Sequence, residues 1–247
     1  MTASGTLPYK DLKKALLREY PQFDYHDLYT DGFVKFQANP WVLAWREDYI
    51  FKLHGTIYEM NMIHLAGDCA VPVVGPAMQK GKVAGFLMRR EKPLEDCLLS
   101  KKEIMDTIID LVAELHGKDI IHGDIKLHNM LLCSDGKIRL CDFQGSFLQQ
   151  HRAETRPAYT WNYLSPYRVA NLKEPFTKED DLYALGVSIW QLFTGKHPLP
   201  DMLPGYVREA IRAGFVVDLY DIDDEEARQV AEELMSNMLQ KSPKKTT

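Results

Sequence analysis

Residues 120–143 read IIHGDIKLHNMLLCSDGKIRLCDF, and this stretch narrows the possible folds more than any other part of the chain. Its residues 130–133 and 138–141 are apolar runs joined by Ser134, Asp135, Gly136 and Lys137, and an Asp-Gly step between two such runs is a strong hairpin signal. A hairpin returns the chain. Asn129, just before the first strand, and Asp142, just after the second, are therefore expected at the same end, with Asp124 on the loop leading in. Mg²⁺ prefers one or two protein oxygens with phosphate oxygens completing its octahedron, so an Asn and an Asp brought together in this way suit a Mg-nucleotide. Asp124 is left for a hydroxyl.

With these residues the stretch resembles the protein kinase superfamily. HGDIKLHN is similar to the family's catalytic loop, which opens on His-Arg-Asp and closes on Asn, and CDFQ is similar to its Asp-Phe-Gly metal motif. The resemblance implies an α+β, protein-kinase-like two-lobed fold, with a small β-rich N-lobe at about residues 1–90 and a mainly helical C-lobe at about residues 91–247, together one domain. It also implies ATP as the nucleotide, Mg²⁺ held by Asn129 and Asp142, Asp124 as the group that orients and deprotonates the substrate hydroxyl, and Lys126 as a cation offsetting charge on the transferred phosphoryl group. His122 takes the family's role of anchoring backbone.

Further along, YTWNYLSPY at residues 159–167 resembles the end of the family's activation segment, Gly-Thr-x-x-Tyr-x-(Ala/Ser)-Pro-Glu. The match makes Thr160 the hydroxyl that helps hold the catalytic Asp and Lys in serine/threonine-type members, and Asp181, in DLYALG, the carboxylate that braces the catalytic loop. In the first lobe it makes Lys52 the phosphate-binding lysine and Glu59 its partner, at an interval shorter than the family's usual one. Residues from Met88 to Glu91 fall where the hinge holds adenine.

Four positions depart from the pattern. The loop between the first two strands, Gln37-Ala38-Asn39-Pro40, has none of the glycines that let backbone N–H groups approach phosphates, and proline has no N–H to offer. Gly123 stands where many members have the arginine that receives a phosphorylated activation loop, which argues against such a switch. Gln144 replaces the glycine of the metal motif and is expected to reduce backbone freedom after Asp142. Tyr167 replaces the closing Glu, whose partner in the family is an arginine on a last helix that this sequence does not reach.

The rest of the chain supplies the scaffold. Residues 10–20 have helical apolar spacing ending at Pro21. Residues 33–37, 41–45 and 49–53 are β-prone and suggest a three-stranded antiparallel start. Alternation puts Lys52 on the face opposite Phe51 and Leu53, and residues 56–66 read as a short helix, with strands at 71–75 and 82–91 after it. Ser100 with Glu103, and Thr177 with Asp180, are capping boxes opening two helices, the second apolar nearly all round. Residues 145–158 look irregular, the prolines at 198, 200 and 204 a loop, and residues 206–213 and 224–240 two closing helices. Ser242-Pro243 opens a frayed basic tail.

Composition excludes several classes. A formal charge of −5 with Lys and Arg dispersed among acids argues against a nucleic-acid partner. Four cysteines without paired metal spacing read as reduced thiols. With neither a signal peptide nor a run of eighteen apolar residues, no membrane partner is expected, and the expected location is intracellular, in cytoplasm or nucleus. ATP and a protein substrate are the partners this reading implies; oligomeric state is left open. Three functions remain in competition. They are an atypical serine/threonine protein kinase, a pseudokinase acting as a binding or scaffold module, and a small-molecule kinase of the same superfamily, against which Lys126, Thr160 and the Asp181 helix argue.

Overall fold

The computed structural model describes residues 9–30, 33–35, 42–151, 158–199 and 202–242. The chain divides into two compact units, Met1–Glu91 and Lys92–Thr247.

In the first unit, α1 (Tyr9–Glu19) stops ahead of Pro21 and is followed by β1 (Phe23–Asp24), α2 (Tyr25–Thr30), β2 (Phe33–Lys35), β3 (Val42–Trp45) and β4 (Tyr49–Leu53). The three last strands form the expected antiparallel run, with Val34 opposite Ala44 and Leu43 opposite Phe51. The glycine-free loop at residues 37–40 lies outside the described residues. α3 (Ile57–Ala66) then leads to β5 (Val73–Gln79) and β6 (Lys82–Arg89), giving a six-stranded sheet in the order β1-β5-β6-β4-β3-β2. Phe51, wholly buried, sits in a cluster with Leu28, Leu43, Trp45, Ala77 and Leu87. Each large apolar side chain so buried contributes about 1.5–3 kcal/mol, enough to fix the register of β4 and therefore the opposite facing of Lys52.

The second unit starts with β7 (Lys92–Pro93) and α4 (Lys101–Gly117). The Ser100–Glu103 capping box forms: Ser100 N–H donates to Glu103 Oε2 at 2.8 Å, and Glu103 N–H to Ser100 Oγ at 3.3 Å. Ile104, Ile108, Val112 and Leu115 give α4 a buried stripe that carries the chain to β8 (Ile120–Ile121). The hairpin expected from the Asp-Gly step is β9 (Met130–Leu132) and β10 (Ile138–Leu140), with Leu132 opposite Ile138 and Met130 opposite Leu140. Gly136 supplies the turn's positive φ of 81° and donates its N–H to the Cys133 carbonyl at 2.8 Å.

One departure from the sequence reading follows directly. Part of the segment expected to be irregular is a short strand, β11 (Phe147–Leu148), antiparallel to β8 with Phe147 opposite Ile121. α5 (Pro166–Ala170), α6 (Lys178–Thr194), α7 (Pro204–Arg212) and α8 (Glu225–Lys241) complete the unit. Pro204, read as loop, instead begins α7, where a missing N–H costs nothing because first-turn donors have no partner within the helix. α6 is buried almost throughout, and α8 packs along it. The four cysteines, all among the described residues, form no disulfide. Among the described residues no helix is long and apolar enough to cross a membrane.

Candidate active site

The loop between β8 and β9 is held from below by one carboxylate. The Thr177–Asp180 capping box sets the start of α6, and the next residue, Asp181, is 1% exposed. Asp181 accepts the backbone N–H of His122 at 2.8 Å, that of Gly123 at 2.9 Å, and the ring Nε2 of His116 at 3.0 Å. Charge-assisted bonds of this kind contribute about 1.5–3 kcal/mol each. His122 is fixed in turn. Its Nδ1 accepts the Asp124 N–H at 3.3 Å, so the ring proton sits on Nε2, which donates to the Cys141 carbonyl at 3.1 Å. Phe143 packs edge-on against the same ring, and Ser146 Oγ donates to the His122 carbonyl at 3.0 Å.

This bracing leaves Asp124 at the centre of a small polar group. Its Oδ2 accepts Lys126 Nζ at 2.7 Å and Asn129 Nδ2 at 3.1 Å. Lys126 Nζ also donates to Thr160 Oγ1 at 2.7 Å, and Asn129 Nδ2 to the Asp124 carbonyl at 2.8 Å. The other carboxylate oxygen, Oδ1, is buried and has no hydrogen-bond partner. A carboxylate anchored through one oxygen, with the second desolvated, is arranged to accept a proton. Nearby, burial and the Asp124 charge raise the Tyr163 phenol well above its ordinary value, and its hydroxyl donates to Gln191 Oε1 at 2.6 Å. Tyr163 therefore stays neutral.

The hairpin ends meet as its register requires: Cys141 N–H donates to the Asn129 carbonyl at 2.8 Å, bringing Asp142 beside Asn129. Because the Asn129 amide nitrogen is committed to Asp124, its oxygen is turned away from those bonds. Asp142 has φ 65° and ψ 61°, a left-handed conformation that Asp tolerates better than most residues. Gln144 lies outside the positive-φ region, within a 3-10 turn over Phe143–Gly145, so replacing glycine there creates no backbone strain. The glycine that packing demands is Gly145, where a Cβ would stand 2.4 Å from the Ala158 nitrogen. Among the described residues no group of three or more His, Cys, Asp and Glu could hold a metal. An Asn oxygen with one carboxylate fits only a hard cation whose shell is completed by substrate or water, as for Mg²⁺.

In the first unit, Lys52 Nζ donates to Glu59 Oε1. Glu59 is 1% exposed and its place is set by the N-cap of α3, where Thr56 Oγ1 accepts the Glu59 N–H at 3.0 Å. The interval of seven residues is therefore spanned by a strand end and the first turn of a capped helix. Met88 is buried within β6, opposite Ile50 and Val73, so the connection that follows consists of Arg90 and Glu91. Three residues that shape the second unit's site carried no readable signal: His116, Ser146 and Arg168. Asp180 was visible only as a cap.

The family model of the protein kinase domain matches residues 44–246. A serine/threonine/tyrosine-protein kinase of Arabidopsis thaliana, HT1, is 24% identical over 169 residues, 65% of this chain and 40% of that protein. An Aurora kinase of Schizosaccharomyces pombe is 30% identical over 157 residues, 64% of this chain and 41% of that protein. The chain thus spans less than half the length of each.

Proposed function

The chain belongs to the protein kinase domain family, and from that premise we propose that it transfers the γ-phosphoryl group of ATP to a serine or threonine hydroxyl of a protein. The observation that carries this reading is Asp124, whose Oδ2 is tied to Lys126 and Asn129 while its buried Oδ1 has no partner. In the proposed reaction the substrate hydroxyl oxygen forms a bond to the γ-phosphorus. Its proton passes to Asp124 Oδ1. The bond from the γ-phosphorus to the bridging oxygen breaks, and ADP leaves. Lys126, held between Asp124 and Thr160, offsets the negative charge on the transferring group. That Lys126–Thr160 bond also favours a protein substrate over a small molecule, since it ties the end of the activation segment to the catalytic carboxylate.

Asn129 and Asp142 would hold Mg²⁺, which when bound neutralises phosphate charge. Lys52, paired with the buried Glu59, would supply a cation to the phosphates. Met88 and the residues after it would contact adenine. A second reading, a nucleotide-binding or scaffold module without turnover, is favoured by the glycine-free loop Gln37-Ala38-Asn39-Pro40.

Two measurements separate them. Thermal shift with ATP should show stabilisation with Mg²⁺ and little without it, and labelled phosphate should pass from ATP to a generic protein substrate. Mg-dependent binding without transfer, equal shifts with and without Mg²⁺, or no shift at millimolar ATP each count against the first reading and support the second.

A further inference from the structure

Arg168, on α5, is 2% exposed and the largest fully buried side chain among the described residues. Burying a guanidinium is costly unless every donor finds an acceptor. Here all five do. Nε and Nη2 form a fork on Asp180 at 2.8 Å each. Nη1 reaches the carbonyls of Asn171 and Glu174 at 3.0 and 2.9 Å, and Nη2 that of Pro175 at 3.2 Å. The guanidinium carbon lies 4.5 Å from the centre of the Phe176 ring, a cation–π contact.

Two routes run from this group to Asp124. Along the first, Asp180 is clamped between Arg168 and the Thr177 N–H, and Asp181, the next residue, holds the backbone of His122 and Gly123. Along the second, Phe176 stacks on Tyr159 with centroids 5.6 Å apart, and Thr160 follows Tyr159 and accepts from Lys126. Both routes border one pocket, lined by Asp124, Thr160, Tyr163, Phe176, Asp180 and Asp181. Tyr167, standing where the family has its closing Glu, turns its hydroxyl to Glu174 instead, at 2.7 Å.

We infer that Arg168 is a positioning residue: through Asp180 and Phe176 it sets the placement of Thr160 and of the loop carrying Asp124, without touching substrate, nucleotide or metal. The inference rests on the kinase reading for its catalytic consequence, but its structural content does not depend on turnover. A side chain that merely neutralised Asp180 would be replaceable by removing both charges. A positioning residue would not, because its bonds to three carbonyls and its contact with Phe176 would still be lost.

The test uses the full chain and the variants Arg168→Lys, Arg168→Met with Asp180→Asn, and Phe176→Leu, the last keeping the ion pair and breaking only the second route. Amide hydrogen exchange is read by segment. Exchange at residues 158–164 should rise about tenfold or more in all three, and at residues 122–124 in the two Arg168 variants, while residues 42–91 keep wild-type protection. Where the wild type transfers phosphate, turnover should fall about 10²-fold in the Arg168 variants with the nucleotide KM nearly unchanged. Wild-type exchange at residues 158–164 in the charge-free double variant overturns the inference, as does a uniform rise along the chain. A wild type that transfers no phosphate counts against the kinase reading, and the exchange data then decide the inference alone. If the Arg168 variants do not fold, wild-type exchange at residues 158–164 in Phe176→Leu overturns it.

Discussion

Replacing Asp124 by Asn changes one atom at the point where the chemistry is proposed to occur. Lys126 and Asn129 both donate to Oδ2, at 2.7 and 3.1 Å, and an amide oxygen can accept both in the same place. The amide NH₂ then stands where Oδ1 was, so a buried acceptor becomes a donor and can no longer take a proton from a hydroxyl. General-base catalysis is worth about 10²–10⁴-fold, or about 2.7–5.4 kcal/mol of barrier. The fold should suffer much less. Lys126 and Asp124 side chains are 19% and 10% exposed, and Lys126 retains Thr160 as an acceptor. Loss of the charged partner therefore costs on the order of 1–3 kcal/mol of stability. The assay pairs single-turnover phosphoryl transfer with titration of Mg-ATP, on Asp124→Asn and on Asp142→Asn. Asp124→Asn should lose turnover about 10²-fold or more with nucleotide affinity nearly intact, whereas Asp142→Asn should lose both, because a neutral amide attracts Mg²⁺ less. Full activity in Asp124→Asn would refute the assignment of the base.

Other outcomes follow from the same geometry. Glu59→Gln, which weakens the ion pair holding Lys52, should reduce the thermal shift by Mg-ATP about tenfold in apparent affinity while α3 keeps its Thr56 cap; an unchanged titration refutes a phosphate role for Lys52. Phosphatase treatment should leave any activity unchanged, since Gly123 offers no arginine to a phosphate, and Gly123→Arg should destabilise the fold by about 1–2 kcal/mol in denaturant melts, since its φ is 81°. Tyr163 and Tyr183 are raised above the ordinary phenol value, Tyr163 by burial and the Asp124 charge, Tyr183 by burial. Because the neutral form is the one favoured in the fold, this stabilisation is complete below pH about 10 and is lost as pH rises past the unfolded value. Spectrophotometric titration should therefore show the same number of tyrosinates formed between pH 9 and 11 in the wild type and in Tyr163→Phe with Tyr183→Phe; a smaller number in the variant refutes the shift.

The sequence by itself determined the parts whose information is local. The Asp-Gly step dictated the β9–β10 hairpin and with it the meeting of Asn129 and Asp142, since period and turn chemistry are written in consecutive residues. The capping boxes at Ser100 and Thr177 set the starts of α4 and α6 for the same reason, and strand alternation turned Lys52 away from the Phe51 cluster. Only the tertiary structure decided what depends on distant partners. β1 and β11 are two residues long, too short to show a period, and exist because β5 and β8 offer them backbone partners far away in the chain. Gln144 proved compatible with its place because the backbone there turns as a 3-10 helix, with the positive φ borne by Asp142. Arg168 carried no readable signal, yet the fold buries it with five hydrogen bonds, to Asp180 and to the carbonyls of Asn171, Glu174 and Pro175, and with Phe176 beside its guanidinium. Its acceptors lie within twelve residues, but three of them are backbone carbonyls of a loop, and a carbonyl has the same identity in every residue, so only the folded path of that loop reveals that the charge is satisfied.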